Sequence, residues 1–290
     1  MQIIINILFY SSIYILISYS FSLIYCTTKA FHIAHASIIT FGAFFTYSFY
    51  YQSKMSIFIA IPIAILLSVL ISLLIELFIY KPLRSKSISS LLLLISSIAI
   101  NLILQNFISI IWGDDTKSIR FGNIKVGHEF LGAYITNLQV ISIVISIVLF
   151  LFIILLFSKT KLNRQIRAVS SNEQLANISG INPNRVIFWT FLFSSSFAAI
   201  AGILIACDNG LTPTMGFNFL LYGIVVMIIG GVGSIWGLAG GALLLATAQH
   251  LGAYYIDSKW IDAIAYLILI LFLIWKPLGF SGQHLKKSEI

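Results

Sequence analysis

Two histidines, His32 and His35, are the first residues of the sequence whose type and spacing could do chemistry. Two imidazoles three residues apart on a helix share a face and could bind a metal ion. No Cys, Asp or Glu stands at ligand spacing beside them. We therefore predict no metal site, and we expect both residues to be hydrogen-bonding groups at a break between two hydrophobic segments.

Catalytic motifs that could use such groups are missing from the sequence. It has no Gly-x-Ser-x-Gly elbow, no His-Glu-x-x-His pair, no convincing pair of acids within an apolar stretch and no glycine-rich phosphate-binding loop. We predict that the protein is not an enzyme and holds no cofactor of its own.

A polar, basic insert interrupts the apolar sequence at residues 167–186. Ser170 and Glu173 fit a capping box, so we expect a helix to start there. Gly180 suits the left-handed position after a helix end, and Asn182-Pro183 should prevent the helix from resuming. The resulting helix, of about two turns, is too short to be stable alone and needs a supporting surface.

The insert helix offers one small, shallow face. Leu175 with Ile178, and Ala176 with Ser179, are pairs three residues apart that lie on the same side of a helix. Such a face suits a groove in another protein. The alternative is a surface helix that rests on lipid headgroups.

The elements that position these residues are hydrophobic segments. Of the 290 residues, 59% are hydrophobic and 9% are charged, against about 25% charged in a typical soluble domain. Runs at 57–79, 87–112, 138–157, 186–206 and 260–275 approach the ~20 apolar residues that cross a bilayer as a helix. The N-terminal segment lacks a positive start and a small-residue cleavage site, so we expect a retained span. We predict one all-α transmembrane bundle over residues 1–290, with about eight or nine membrane segments.

Positive charge indicates which connections face the cytoplasm. Lys and Arg are dense in residues 81–86 and 159–185, and we place both connections inside. The 17 basic residues show no interleaving with aromatic residues, so we predict no nucleic-acid partner. Residues 217–253 would form roughly 55 Å of helix and must break, for which the glycine-rich residues 230–237 are suited. Two passes there give nine crossings, with the N-terminus outside and the C-terminus inside. A re-entrant segment is an equal interpretation, and a single pass, which places fewer basic residues inside, is the alternative.

The glycine-rich break has two interpretations. Gly233, Gly237 and Gly241 recur every four residues, a pattern that lets a neighbouring helix pack closely. Alternatively, a broken helix exposes backbone groups to a water-filled path. We assign seven residues to a candidate translocation path: His32, His35, Asn101, Gly230, Gly231, Gly233 and Ser234. For Asn101, which shares a helix face with Gln105, hydrogen bonding between helices explains the residue equally well.

Residues 161–169, 171–176 and 179–182 resemble the cytoplasmic loop of branched-chain amino acid ABC transporter permeases. The resemblance extends to residues 105–118, 230–237 and 276–282 in the same order, and so to nearly the whole chain. The family's first polar break usually reads Asn-Phe-Ala-His-Gly, where this chain has His32-Ile33-Ala34-His35-Ala36, and Asn163 replaces a habitual glycine. These departures concern the substrate path.

The resemblance implies that the short helix within the coupling loop, residues 159–185, docks into a cleft on separate cytoplasmic ATP-binding subunits. The coupling residues would be Arg167, Ala168, Glu173, Ala176 and Gly180. It also implies a multi-pass protein of the cytoplasmic (inner) membrane, in contact with lipid. This protein would pair with a homologous or identical second permease and receive branched-chain amino acids from an extracytoplasmic solute-binding protein.

Glu76 is the main ionisable residue inside an apolar stretch, and it bears on whether an ion gradient or ATP drives transport. We expect its carboxylate to reach the membrane interface near Lys81. The absence of an ion relay from the apolar spans favours import driven by ATP. The alternative is a different class of transporter, an ion-coupled secondary carrier. Urea or a short amide is an alternative cargo, and a non-transporting membrane anchor is a weaker alternative.

Overall fold

The computed structural model describes residues 1–86, 88–119, 127–130 and 132–281, and most of them are helical. The helices are α1 (Gln2–Thr28), α2 (His35–Thr46), α3 (Ile57–Ile75), α4 (Lys81–Ser85), α5 (Ser90–Trp112), α6 (Asn137–Lys159), α7 (Lys161–Ser171), α8 (Glu173–Ile178), α9 (Pro183–Asn209), α10 (Met215–Gly230), α11 (Ile235–Tyr255) and α12 (Ile261–Trp275). A short antiparallel pair, β1 (His128–Phe130) and β2 (Ala133–Ile135), is a small exception to the all-α prediction.

Two π-helical turns and one 3-10 turn join these helices. The turn Tyr47–Gln52 extends α2, Glu76–Tyr80 connects α3 to α4 without a break, and Ser258–Trp260 leads into α12. The span predicted at 57–79 therefore continues to Ser85. The span predicted at 87–112 begins at Ser90, where the Ser89 hydroxyl accepts a hydrogen bond from the Leu92 amide, whereas Ser87 lies outside the described residues.

Within the described residues, six helical stretches are long and apolar enough to cross a bilayer: Gln2–Thr28, Ile57–Ser85, Ser90–Trp112, Asn137–Leu155, Pro183–Asn209 and Ser258–Trp275. The pair α10 and α11 passes the same test as a whole but bends by 119°. This confirms the predicted break in residues 217–253. The six stretches, the two limbs of the bent pair and α2 make nine helical segments, in keeping with the predicted bundle. The number of complete crossings stays a prediction.

The fraction of each span that is buried within the chain differs sharply. α1 and α9 are mostly buried, whereas α6 and α12 are mostly exposed. The buried α1 carries serines whose hydroxyls donate to carbonyls three residues earlier in the same helix, as Ser12 does to Phe9. Such local bonds satisfy the hydroxyl where no water is present.

The described residues form two compact units. Unit 1 comprises Met1–Ser22, Gly122–Ser158 and Leu221–Ile290, and unit 2 comprises Leu23–Phe121 and Lys159–Leu220. In unit 2, α2 packs so closely on α9 that a Cβ atom at Gly42 would lie 2.7 Å from the Ala199 Cα atom. Gly202 likewise lies against the Ile39 carbonyl. The absence of a side chain at these two glycines therefore sets the distance between the helices.

Hydrogen bonds fix how α2 and α5 lie beside each other in unit 2. The Ala34 amide donates to Ser97 Oγ at 2.9 Å, and further along both elements Trp112 Nε1 donates to Ser48 Oγ at 2.6 Å. α2 with its π-helical extension thus runs beside α5 in the same direction. Lys117 and Leu211 exchange two backbone hydrogen bonds at the far end of α5. These pairings agree with the predicted sidedness, which places residues 48, 117 and 211 outside.

Candidate functional site

The polar insert contains two helices, the first of which rests on the bundle. α7 (Lys161–Ser171) is strongly amphipathic, buries Ile166 and Val169, and packs against α9. Arg167 is exposed, and Ala168 is partly buried. The predicted coupling residues Arg167 and Ala168 therefore belong to α7 and not to the shorter helix that follows.

The second helix, α8, begins at a different cap from the predicted one. Asn172 is extended (φ −155°, ψ 112°), and its side-chain oxygen accepts a hydrogen bond from the Leu175 amide at 2.9 Å. Ser170 still lies in α7, so the predicted capping box with Glu173 is wrong. An amide side chain at residue 172 caps the helix as well as a serine would. Glu173 becomes the first helical residue, where its negative charge favours the helix dipole.

The end of α8 matches the prediction. Gly180 has a φ of +82°, the left-handed conformation that glycine adopts without strain. The Ile181 amide donates to the Ala176 carbonyl, and the Gly180 amide donates to the Asn177 carbonyl. This pair of bonds is a Schellman motif. Pro183, predicted to prevent helix resumption, instead occupies the first turn of α9, and Asn182 caps that helix through the Arg185 amide.

The sides of α8 differ in exposure. Leu175 is 61% exposed and Ile178 is 83% exposed, whereas Ala176 is only 4% exposed. Ala176 therefore faces this chain's own insert, and the predicted pair Ala176–Ser179 does not form an exposed face with Leu175 and Ile178. The short helix is held from one side and presents two aliphatic side chains on the other.

A hydrogen bond connects the insert to the first helix. Lys29, the residue after α1, donates from Nζ to Ser170 Oγ at 3.3 Å. Nearby, the hydroxyls of Thr27 and Thr190 are 3.3 Å apart and join the end of α1 to α9. Burial of the ammonium group lowers the pKa of Lys29.

The predicted path residues His32, His35 and Asn101 are all buried in unit 2. His32 Nδ1 lies 2.9 Å from the Tyr80 hydroxyl, and the Ser194 hydroxyl lies 3.4 Å from His35 Nε2. Ser37 donates to Asn101 Oδ1 at 2.8 Å. The Asn101 bond supports the interpretation of this residue as a link between helices. Within the described residues, no group of three or more His, Cys, Asp or Glu side chains could hold a metal ion.

Glu76 is buried in unit 2 and forms an ion pair there. Its side chain is 3% exposed and binds Arg84 through both carboxylate oxygens, with one of the two bonds at 3.0 Å. Its ion-pair partner is Arg84, because a π-helical turn begins at Glu76 and brings Arg84 onto its face. The expectation that its carboxylate reaches the membrane interface near Lys81 stays a prediction.

The glycine-rich break lies in unit 1. Gly231 and Gly233 have φ values of +92° and +81°, and Ser234 caps α11 by accepting from the Gly237 amide at 3.1 Å. Gly233 therefore lies outside the helix, and the predicted face of three glycines is reduced to Gly237 and Gly241. Both pack against α10, since a Cβ atom at Gly241 would lie 2.9 Å from the Val226 carbonyl.

The backbone groups freed by the break have partners within the chain. The carbonyls of Ile229 and Gly230 accept hydrogen bonds from the amides of Phe280 and Ser281, at 2.8 and 3.2 Å. The Gly233 amide donates to Ser22 Oγ at 3.3 Å. These contacts support a packing role for the break, and the assignment of residues 230–234 to the path stays a prediction. Gly282, the last residue of the matching tail, lies outside the described residues.

The sequence profile of a family described as "Branched-chain amino acid transport system / permease component" matches residues 3–273. The chain belongs to this permease family. It is 31% identical over 209 residues to the high-affinity branched-chain amino acid transport system permease protein LivH of Escherichia coli (strain K12), covering 70% of this chain and 67% of LivH. LivM, a permease protein with the same system name in that strain, is 27% identical over 135 residues, which are 46% of this chain and 31% of LivM.

A solved structure supports the fold of this permease. A chain of PsaBC from Streptococcus pneumoniae, in complex with a Fab, matches with a TM-score of 0.55 over 96% of the permease and 93% of that chain. At 12% identity the likeness concerns the fold alone. The permease is a multi-pass protein of the inner membrane and not an enzyme.

Sequence reasoning missed several residues that organise the permease. Tyr80 and Ser97 carried no signal, because single hydroxyls in apolar stretches are common and their partners are distant in sequence. Arg84 was counted only as a topology charge. Asn172 could have been found, since an Asn directly before a polar helical run is a strong cap.

Proposed function

We propose that this permease is the membrane-spanning subunit of an ABC importer that moves branched-chain amino acids across the inner membrane. ATP hydrolysis on a separate subunit would drive the transport. The observation that carries the proposal is α8, a short capped helix that buries Ala176 in its own chain and presents Leu175 and Ile178 outward. A helix of six residues gains stability from contact with a second surface.

The mechanical connections of α8 support its role as the coupling contact. α8 is continuous with α7 through Asn172, and both helices contact α9, a mostly buried span. The Lys29–Ser170 bond adds a connection to α1. A push on α8 by the ATP-binding subunits would reach two buried spans directly, as a rigid-body transition between outward- and inward-open states requires.

The Glu76–Arg84 pair argues against ion coupling. A proton relay needs a carboxyl group that can gain and lose its proton during transport. Both oxygens of the Glu76 carboxylate are already bound by the Arg84 guanidinium. An external motor is therefore the better energy source.

The proposed partners are cytoplasmic ATP-binding subunits, a second permease and an extracytoplasmic solute-binding protein. The similarity to both LivH and LivM, two permease proteins that share one system name, supports pairing with a sister chain over pairing with an identical one.

The coupling contact is tested by Ile178→Asp. A carboxylate on the exposed aliphatic side should oppose docking, and we expect leucine uptake to fall by roughly tenfold or more. Asn177→Asp is the matched control, because it adds the same charge one residue away and, at 3.6 residues per turn, lies off the Leu175–Ile178 side. The ATP-binding subunits should co-purify with the control and not with Ile178→Asp. Normal uptake and co-purification by both variants would contradict the proposal.

The cargo and the energy source need separate measurements. Calorimetric titration of the partner binding protein with leucine, isoleucine, valine and urea should show heat for the three amino acids only. Uptake should vanish in a strain lacking the ATP-binding subunits and persist when a protonophore is added to the intact strain. The opposite pattern would favour an ion-coupled carrier.

A further inference from the structure

Unit 2 contains a small crevice, partly open to solvent, where α1 ends and α2 begins. Its polar lining includes His32, Tyr80 and Arg84. Its apolar lining includes Phe31, Leu93 and Phe191. His32 is 3% exposed, and its Nε2 atom has no hydrogen-bond partner among the residues that the structure describes. A buried polar atom without a partner beside a crevice indicates that a ligand or water completes its hydrogen bonding.

A chain of hydroxyls is compatible with a His32 proton on Nε2. The Ala34 amide donates to Ser97 Oγ, and Ser97 in turn is hydrogen-bonded to the Tyr80 side chain. With the Ser97 proton directed at the Tyr80 oxygen, the Tyr80 proton is available for His32 Nδ1, 2.9 Å away. A neutral imidazole that accepts at Nδ1 carries its proton on Nε2. His32 then presents an N–H donor to the crevice.

The charges around the crevice favour an anion. Arg84 uses two of its five N–H donors on Glu76 and keeps others for a second acceptor. Lys81 is close enough to interact electrostatically with Glu76, so this group of three has one excess positive charge. A guanidinium beside an imidazole N–H suits a carboxylate.

We propose that this crevice binds the carboxylate of a small aliphatic acid, the transported amino acid in the step before its release to the cytoplasm. The inference rests on the proposed function for the identity of the cargo. Phe31, Leu93 and Phe191 provide apolar walls for a branched side chain, and His32 Nε2 and Arg84 bind the carboxylate. The location agrees with the predicted cytoplasmic placement of residues 81–86.

The test measures binding of tritiated leucine to the purified complex in lipid discs, without nucleotide and without the solute-binding protein. Unlabelled leucine and 4-methylvalerate, which keeps the carboxylate, should compete, whereas leucinamide, which lacks it, should not. His32→Leu removes the donor and should weaken binding roughly tenfold. His32→Gln restores an N–H near the Nε2 position and should retain most of the affinity. His250→Leu, a histidine in unit 1 outside the crevice, is the matched control.

A second variant and a change of lipid distinguish the remaining outcomes. If His32→Leu does not fold, Arg84→Lys keeps the positive charge beside Glu76, removes the spare donors and should show the same loss. Discs of phosphatidylcholine with and without phosphatidylglycerol distinguish a lipid phosphate: binding abolished by the anionic lipid would overturn the assignment to the solute. Equal leucine affinity in the wild type and both His32 variants would overturn the site itself.

The failure of this inference is distinguishable from failure of the proposed function. Leucine uptake by the intact complex without leucine binding in the crevice would refute only the site. Binding of 4-methylvalerate without leucine uptake would leave the carboxylate site in place and refute the proposed cargo.

Discussion

Lys29 Nζ donates a hydrogen bond to Ser170 Oγ across 3.3 Å, which connects the end of α1 to the penultimate residue of α7. Lys29 holds this position with a φ of +54°, a left-handed conformation that is uncommon outside glycine. A backbone strained in this way persists only where the surrounding contacts over-determine it. The bond is therefore a specific link between the insert and the first membrane helix.

Removal of either partner of this link should reduce the efficiency of coupling. For Lys29→Met and for Ser170→Ala we expect fewer leucine molecules transported per ATP hydrolysed, with a loss of about 1 kcal/mol or several-fold. Reconstituted proteoliposomes measure both rates together. Because the two side chains form one bond, the double variant should be no worse than either single variant. Ser171→Ala, at the exposed neighbouring position, is the control. Additive losses in the double variant would refute the link.

Gly180 is left-handed, so the effect of each substitution there should depend on how well the new residue tolerates this backbone conformation. A Cβ atom at Gly180 would meet nothing within 4 Å, so a side chain there causes no clash inside this chain. Gly180→Ala should nevertheless cost about 1–2 kcal/mol of local stability, because an L-residue is strained at this φ. Gly180→Asn should retain more leucine uptake, since Asn tolerates this conformation best among the other residues. Gly180→Val should lose most leucine uptake. Equal uptake by Gly180→Ala and Gly180→Asn would show that the end of α8 plays no role in coupling.

The sequence was sufficient for features that depend on local chemistry. The broken segment at residue 230 and the left-handed Gly180 both follow from the conformational freedom of glycine and are present in the structure. Features that depend on competition between neighbours were not predictable. Ser170 and Asn172 both suit a cap, and only the continuation of α7 to Ser171 decides between them. The Glu76–Arg84 pair depends on a π-helical turn, which adds a residue that no sequence periodicity indicates.

Close packing at the glycine break predicts a contrast between two glycines three residues apart. A Cβ atom at Gly237 would collide with the Gly230 carbonyl, whereas one at Gly240 would meet nothing within 4 Å. Gly237→Ala should therefore destabilise the protein by about 1–3 kcal/mol through overpacking. Gly240→Ala should be neutral or stabilising by up to about 1 kcal/mol, because alanine has the higher helix propensity. Thermal unfolding in detergent, monitored by size-exclusion chromatography, measures both. Equal destabilisation by the two variants would contradict the close contact between α10 and α11.

The buried pair of Glu76 and Arg84 predicts that the double substitution destabilises the protein less than Arg84→Met alone. Arg84→Met leaves the Glu76 carboxylate buried without a partner, a situation that typically costs about 3–5 kcal/mol. Glu76→Gln leaves the Arg84 side chain, which is 15% exposed and can turn toward water, so its cost should be smaller. In the double variant Glu76→Gln/Arg84→Met no unpaired charge remains, and stability should recover above that of Arg84→Met alone. The measurement is the yield and thermal stability of the purified complex. A double variant less stable than Arg84→Met would show that Arg84 is not the main partner of the Glu76 charge. The Glu76 carboxylate would then be available for proton coupling.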